Sequence, residues 1–396
     1  MAGRSRHFLL AIALLLTVNM FSGGVRAQTG ALSDEELLQV LVSGRPLEAD
    51  WFATELLAQV PLSHIQRVVD GIRGDTGAAP QVSGDSERYY LRTARHRVPV
   101  TLRRRADGRI IGLFFHPAIA TEAGLAEVFA GLRGLPGQIS YLVLRDDGEV
   151  GSYHADAALA VGSAFKLAVL ATLKQEIEAG RARWDEVVQL EEAHRSLPTG
   201  TMHKLPVHAP LTLHTLAAAM ISQSDNTATD VLIDRLGRDA VATAAGTELL
   251  LTTREYFQLK ADPALYRRYS SAGLAGRRAL LRDMADRPLP RTHLVLRPLQ
   301  RGAEWHMSVR RLCALMAEVL DLDVMRIEPG PVDPQPWIRV GYKGGSEIGV
   351  MNLTSGLIDR DGHRYCVSVT WNDGVSVDRN RLVEQYLTLL SALRQK

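Results

Sequence analysis

Ser163-Ala164-Phe165-Lys166 sets a hydroxyl and an amine three residues apart, Ser224-Asp225-Asn226 adds a second hydroxyl with an amide, and Lys343-Gly344-Gly345-Ser346 adds a second amine. These are the parts of an acyl-transfer site. A serine alcohol is a weak nucleophile at neutral pH and needs a neighbouring base to take its proton. Lysine, with an ordinary pKa of about 10.4, becomes such a base only when burial or nearby cations lower that value. Each segment also has a plain structural explanation. Ser163 can cap a helix beside an unrelated exposed lysine, Asp225 or Asn226 can cap the helix that follows, and Lys343-Gly344-Gly345 can be a loose turn. Their order and spacing together favour chemistry.

The surrounding pattern says how these groups are to be held. Ser163 opens a helix expected to run to about Ala179, so Ser163 and Lys166 share one face and the serine lies where unpaired backbone N–H groups favour negative charge. Ile139 to Arg145 and Glu149 to His154 read as a hairpin over Asp146-Asp147-Gly148. The stretch from Thr212 to about Leu320 is mostly helical, with Ser224-Asp225-Asn226 as a polar break between apolar helices. Strands are expected again at Ile338 to Tyr342, Gly349 to Ile358 and Arg364 to Trp371, and a last helix from about Asp378 to Leu393. Lys343 then stands at a strand end, where the glycines let a ligand approach the backbone. Ser163 and Lys343 come together only if strands from both ends of this region pair in one sheet.

Ahead of this lies a smaller α+β region, 28–135, closed by the Gly/Pro-rich segment Gly131 to Gly137. Ser33 with Glu36 forms a capping box, and Asp50 and Ser63 stand before two further amphipathic segments. Strands follow at Tyr89 to Ala94, Val98 to Arg104 and Arg109 to Phe115, the last two joined across Asp107-Gly108. Residues 1–27 have the form of a secretory signal peptide: Arg4, Arg6 and His7, an apolar run from Phe8 to Val18, and Val25-Arg26-Ala27 before cleavage. An uncleaved anchor is the alternative. No later run reaches about 18 apolar residues, so a periplasmic or secreted location without a membrane span is expected.

The chain carries 46 basic and 44 acidic residues for a net charge of +2, which gives no argument for nucleic acid. Arg103-Arg104-Arg105 reads as a solvated strand end. Cys313 lies in an apolar helical pattern and Cys366 in a strand-like one, so paired and free states both stay open. Neither cysteine has a partner at zinc-ligand spacing, and no metal or other cofactor is expected.

The three motifs resemble those of the penicillin-recognising serine enzymes, S-x-x-K, S-D-N and K-T-G. The 61-residue separation of Ser163 from Ser224 and the text from Leu216 to Leu236 make residues 138–396 most similar to class A β-lactamases. That resemblance implies an antiparallel sheet flanked by helices with an all-helical insert, over a domain of 136–396. It implies that Ser163 is acylated, Lys166 is its base or proton relay, and Ser224 hands a proton to the leaving nitrogen. Asn226 would bind the acyl side chain, and Lys343 with Gly345 and Ser346 would bind substrate. The backbone N–H groups of Ser163 and Ser346 would form the oxyanion hole. The layout of 28–135 is similar to the NTF2-like, steroid-isomerase-like domain fused to a class A-like domain in certain clavulanate-cluster and mycobacterial proteins, with a noncatalytic role.

Three departures qualify the resemblance. Class A enzymes activate the deacylating water with a glutamate in an E-x-x-L-N context. With Leu259-Lys260 in the place of Leu-Asn, that position is Tyr256, and Glu255 stands one residue away as the candidate base. Gly344 replaces a hydroxyl residue, for which Ser346 is a partial substitute, and Gly349 to Ile358 has no arginine to anchor a carboxylate. The expected function is hydrolysis of β-lactams or related amides by a monomer. The alternatives are a D,D-peptidase or esterase acting on cell-wall peptides, and a catalytically silent binding protein.

Overall fold

The computed structural model describes residues 32–76, 80–84, 89–297 and 302–394, so the proposed signal peptide lies outside the described residues. Within them, no helix is long and apolar enough to cross a membrane. Two compact units divide at Val128/Phe129, and residues from Asn380 onward group with the first.

In the first unit, α1 (Asp34–Val42) starts at the expected capping box: Glu36 N donates to Ser33 Oγ at 3.2 Å and Ser33 N donates to Glu36 Oε2 at 2.8 Å. The next helices, α2 (Thr54–Gln59) and α3 (Leu62–Thr76), do not start where expected. Asp50 lies in a short 3-10 turn, and Ser63 is the second residue of a helix whose first carbonyl belongs to Pro61. Strands β1 (Gln81–Gly84), β2 (Tyr89–Arg92), β3 (His96–Arg104) and β4 (Ile110–Phe115) form an antiparallel sheet in that order, with β5 (Ile119–Ala120) on β3. Leu38, Leu41, Phe52, Val69, Leu91, Val100 and Ile110 make its core. The arginine run is spent locally, as Arg104 pairs with Asp34 and Arg105 with Asp107 and Glu55. Helix α4 (Leu125–Arg133) spans the division between units.

The second unit opens with β6 (Gln138–Arg145) and β7 (Gly148–Tyr153), the expected hairpin, then β8 (Leu159–Ala160) and α5 (Lys166–Glu178). Two short strands, β9 (Val187–Gln189) and β10 (Pro210–Thr212), pair with each other. The helical middle follows as α6 (Leu213–Ser222), α7 (Asn226–Leu236), α8 (Arg238–Ala245), α9 (Thr253–Ala261), α10 (Pro263–Ser271) and α11 (Leu274–Asp283). Next come β11 (His306–Met307), which pairs with β8, and α12 (Val309–Val319). The chain closes with β12 (Arg339–Glu347), β13 (Val350–Ile358), β14 (Arg364–Asn372) and α13 (Arg379–Leu393). Within the first unit, Thr388 of α13 accepts from Ala120 N at 3.2 Å.

The larger sheet has the order β12-β13-β14-β6-β7, so strands from both ends of the region pair as the site requires. Helix α5 forms the centre of the adjoining core: Leu167 to Ala171 and Leu173 are fully buried, as a helix apolar on all sides must be. β12 runs to Glu347, well past the expected end at Tyr342, which puts Lys343 inside an edge strand.

Cys313 of α12 and Cys366 of β14 form a disulfide with their Cα atoms 5.6 Å apart and a sequence separation of 53. A cross-link of that span removes conformations from the unfolded chain, stabilising by about 2–5 kcal/mol. The double substitution Cys313→Ala/Cys366→Ala should lower the urea midpoint accordingly, and reductant should then have no further effect. Equal midpoints for the two proteins would show that the bond is not formed in solution.

Candidate active site

Ser163 lies in a 3-10 turn, Gly162–Phe165, that runs directly into α5 at Lys166. Residues three apart eclipse in a 3-10 turn, which stacks the hydroxyl-bearing residue over the amine-bearing one. Strand β12 closes on this turn. A Cβ added to Gly345 would lie 2.5 Å from Ser163 N and 2.0 Å from Val161 O, and one on Gly162 would lie 3.0 Å from Ser346 N. Only glycine permits this approach, and it brings the backbone amides of Ser163 and Ser346 to the same end of the turn.

Lys166 is 0% exposed and Lys343 is 4% exposed. Lys166 Nζ contacts Ser224 O, Asn226 Oδ1 at 2.7 Å and Ser224 Oγ at 3.2 Å. Lys343 Nζ donates to the same Ser224 Oγ at 3.0 Å and to Gly344 O at 2.7 Å. Burial and then the nearby Lys343 charge push the Lys166 amine well below the ordinary lysine range, against the opposing pull of Asp230 and Asp225. Burial brings Lys343 down to about 7. A neutral Lys166 has two N–H groups and one lone pair. Ser224 O and Asn226 Oδ1 take the two hydrogens, leaving the lone pair for a hydroxyl. Ser224 Oγ can therefore accept from Lys343 while giving its own proton to Lys166.

The second motif is held in a strained form. Ser224 has φ 54°, a left-handed backbone that few residues other than glycine adopt, and it joins α6 to α7. Asp225 caps α7 through Ala228 N at 2.9 Å and also accepts from Thr201 N at 2.6 Å and Met202 N at 2.8 Å. Thr199 Oγ1 donates to Ser224 O at 2.6 Å, and Asn226 Nδ2 donates to Leu197 O at 2.9 Å. The segment from Leu197 to Met202 thus fastens the motif, a role that its sequence gives no sign of. In this state the Asn226 amide oxygen accepts from Lys166 and one of its two N–H groups is given to Leu197 O, so the expected contact with an acyl side chain falls to the second N–H.

Glu255 is not on a loop. It is the third residue of α9, completes a capping box with Thr252, and meets Arg238 through both oxygens at 2.7 Å. With both oxygens committed to a guanidinium and a backbone amide, it is built as a structural anchor rather than an open base. Tyr256, at the alternative position, is buried; its hydroxyl donates to Glu304 at 3.1 Å and accepts from Lys260 Nζ at 2.9 Å, and Lys260 in turn pairs with Glu347 at 2.6 Å. Among the described residues no cluster of three or more His, Cys, Asp or Glu is suited to a metal ion. The geometry gathers Ser163, Lys166, Ser224, Asn226, Lys343, Gly345 and Ser346 and sets Glu255 to other work.

Residues 121–274 match the model of the Beta-lactamase enzyme family. That stretch contains the first two motifs and ends before Lys343. No curated protein matches the chain in sequence. Among solved structures, a β-lactamase from Sphaerobacter thermophilus is similar at 21% identity and a TM-score of 0.49, with 68% of this chain and 95% of that chain covered. PBP-A is similar at 16% identity and 0.46, with 68% and 95% covered. An ancestral class A β-lactamase is similar at 18% identity and 0.45, with 68% and 97% covered.

Removing the Glu255 carboxylate charge leaves Arg238 without its partner in a largely buried setting. Glu255→Gln should cost about 1–3 kcal/mol of stability in chemical denaturation. Loss of an acyl group from Ser163, followed in folded protein, should change less than about threefold, whereas removal of a general base costs about 10²–10⁴. A deacylation rate that falls by a hundredfold or more with stability unchanged would restore Glu255 as the base.

Proposed function

We propose that the chain is an exported serine hydrolase of class A β-lactamase type, which opens β-lactam or related amide bonds through an ester on Ser163. The observation that carries this reading is the pair of buried lysines meeting at one serine hydroxyl, because it supplies a neutral amine as base and a cationic one for an anionic substrate. Ser163 Oγ attacks the carbonyl carbon as its proton passes to Lys166 Nζ, and the carbonyl oxygen becomes an oxyanion facing the Ser163 and Ser346 amides. The C–N bond then breaks, and the proton held on Lys166 travels through Ser224 Oγ to the leaving nitrogen. A water completes the cycle by attacking the ester. The first unit is read as a noncatalytic, NTF2-like domain.

One observation favours a second reading, a D,D-peptidase or esterase acting on cell-wall peptides with slow β-lactam turnover. Glu255 is tied to Arg238 and Tyr256 is buried, so neither position presents a free carboxylate to water. Either enzyme is acylated by a penicillin, and the lifetime of the adduct separates them.

Intact-mass measurement after penicillin treatment should show a single added mass on wild-type protein and none on Ser163→Ala. Return of free enzyme within seconds identifies a lactamase, and an adduct lasting minutes or longer identifies a peptidase-like site. No adduct from any acylating probe would leave only the silent binding protein.

The pH profile follows from Lys343, whose cationic form persists only below about 7 in the free protein. For a substrate with a carboxylate, kcat/KM for acylation should fall toward tenfold per pH unit above that value. An ester without a carboxylate should show no such limb. Identical profiles for the two substrates would remove Lys343 from anion binding.

A further inference from the structure

The third motif lacks a side-chain hydroxyl at Gly344, and β12 shows what takes up that space. Residues two apart on a strand face the same way, so Tyr342 and Gly344 share a face of the edge strand. A Cβ added to Gly344 would fall 2.2 Å from the Tyr342 hydroxyl oxygen and 2.9 Å from Tyr342 Cζ. Both distances lie far inside van der Waals contact. The head of the phenol therefore fills the volume in which a serine or threonine side chain at 344 would carry its own hydroxyl. On the far side of the ring is Gly330, with φ +61°, whose added Cβ would lie 2.2 Å from Tyr342 Cδ1. Two glycines thus open the slot that the ring occupies.

The hydroxyl in that slot is available. It has no hydrogen-bond partner among the described residues, and Tyr342 as a whole is half-buried. Burial, with Glu328 adding to it, raises the phenol above its ordinary range, so it stays protonated and can donate at neutral pH. Lys343 Nζ rests on Gly344 O at 2.7 Å, so a cationic donor and a neutral donor both close on the backbone of one glycine. Lys343 itself projects from the other face of β12, so an anion would reach both donors only around Gly344 at the edge of the strand.

We propose that Tyr342 is a substrate-binding residue whose hydroxyl hydrogen-bonds the substrate carboxylate next to Lys343 Nζ, replacing the side-chain hydroxyl absent at Gly344. This rests on the acyl-Ser163 reading and deepens it. A hydroxyl on a packed ring is fixed in place, whereas one on a short side chain can rotate. Tyr342 thus selects acyl donors that carry a carboxylate at the distance set by the ring.

The test compares two probes of Ser163 on the full chain: a fluorescent penicillin, which has the carboxylate, and a fluorophosphonate, which has none. Tyr342→Phe keeps the ring and removes the donor, and should slow penicillin acylation about 10- to 100-fold, as expected for loss of a hydrogen bond to a charged group, with the fluorophosphonate rate within twofold of wild type. Tyr342→Ala/Gly344→Thr moves a hydroxyl to the vacated place and should recover much of the penicillin rate lost in Tyr342→Ala. The proposal is overturned if Tyr342→Phe leaves the penicillin rate within twofold, or slows both probes alike. It is also overturned if wild type takes fluorophosphonate on Ser163 but not penicillin, an outcome that leaves Ser163 as nucleophile. Wild type that takes neither probe defeats the acyl-enzyme reading and this proposal together.

Discussion

Two amines, both almost wholly withdrawn from water, meet at the hydroxyl of Ser224, and the second unit is arranged around keeping them there. Each amine alone would be costly to bury as a cation, and the Lys343 charge makes the Lys166 cation costlier still. The result is a division of labour. Lys166, more deeply enclosed and facing the Lys343 charge, is pushed well below the ordinary lysine range, and Lys343, with burial as its only resolved cause, comes down to about 7. A base and a cation thus come from the same residue type through environment alone. Without Ser224 between them, the two groups would have no shared path for a proton.

Such an arrangement survives only on a rigid support. Helix α5 supplies it by being buried on every side through Leu173, so Lys166 cannot swing out to solvent without disrupting the main core. Ser224 is held at a positive φ worth about 1–2 kcal/mol of strain, and Asp225 offsets this with three backbone hydrogen bonds that tie the Thr201-Met202 segment and the N-terminus of α7 to one carboxylate. β12 completes the site through its glycines, which set the strand against the Ser163 turn.

How much of this could be read from residues alone follows the range of the interactions. The capping box at Ser33, the 138–153 hairpin and the helix after Ser163 are local patterns, and the structure has them. Asp50 and Ser63 misled because residues with helix-starting side chains also occur in turns and first helical turns, where Pro61 and tertiary packing set the start. β12 runs past Tyr342 because Gly344 and Gly345, which resemble a turn in sequence, are here strand positions emptied of side chains for close approach. Lys166, Ser224 and Lys343 were legible by type and order. The hold of Leu197 to Met202 on Ser224 was not, since ordinary backbone amides and carbonyls do that work. Tyr342 carried a faint signal, a large residue two positions before a glycine that could not be read without knowing that the ring folds over it.

The fate of an ester on Ser163 turns on how the carboxylates near the site are employed. Glu255 holds Arg238, Glu304 accepts from Tyr256, and Glu347 holds Lys260. Each carboxylate is engaged by a donor within the protein and is thereby oriented for that partner. Freeing any one of them would leave a cation or a phenol unpaired in a buried setting, a larger cost than a mobile loop carboxylate would incur. Under the proposed acyl-Ser163 reading, Lys166, whose burial favours its neutral form, would have to serve a second time to activate water. A site with one base for both half-reactions is limited by how well water, instead of the departing amine, can reach that base. On the proposed reading, the same buried pairs that hold the site together would favour making an acyl-enzyme over breaking it.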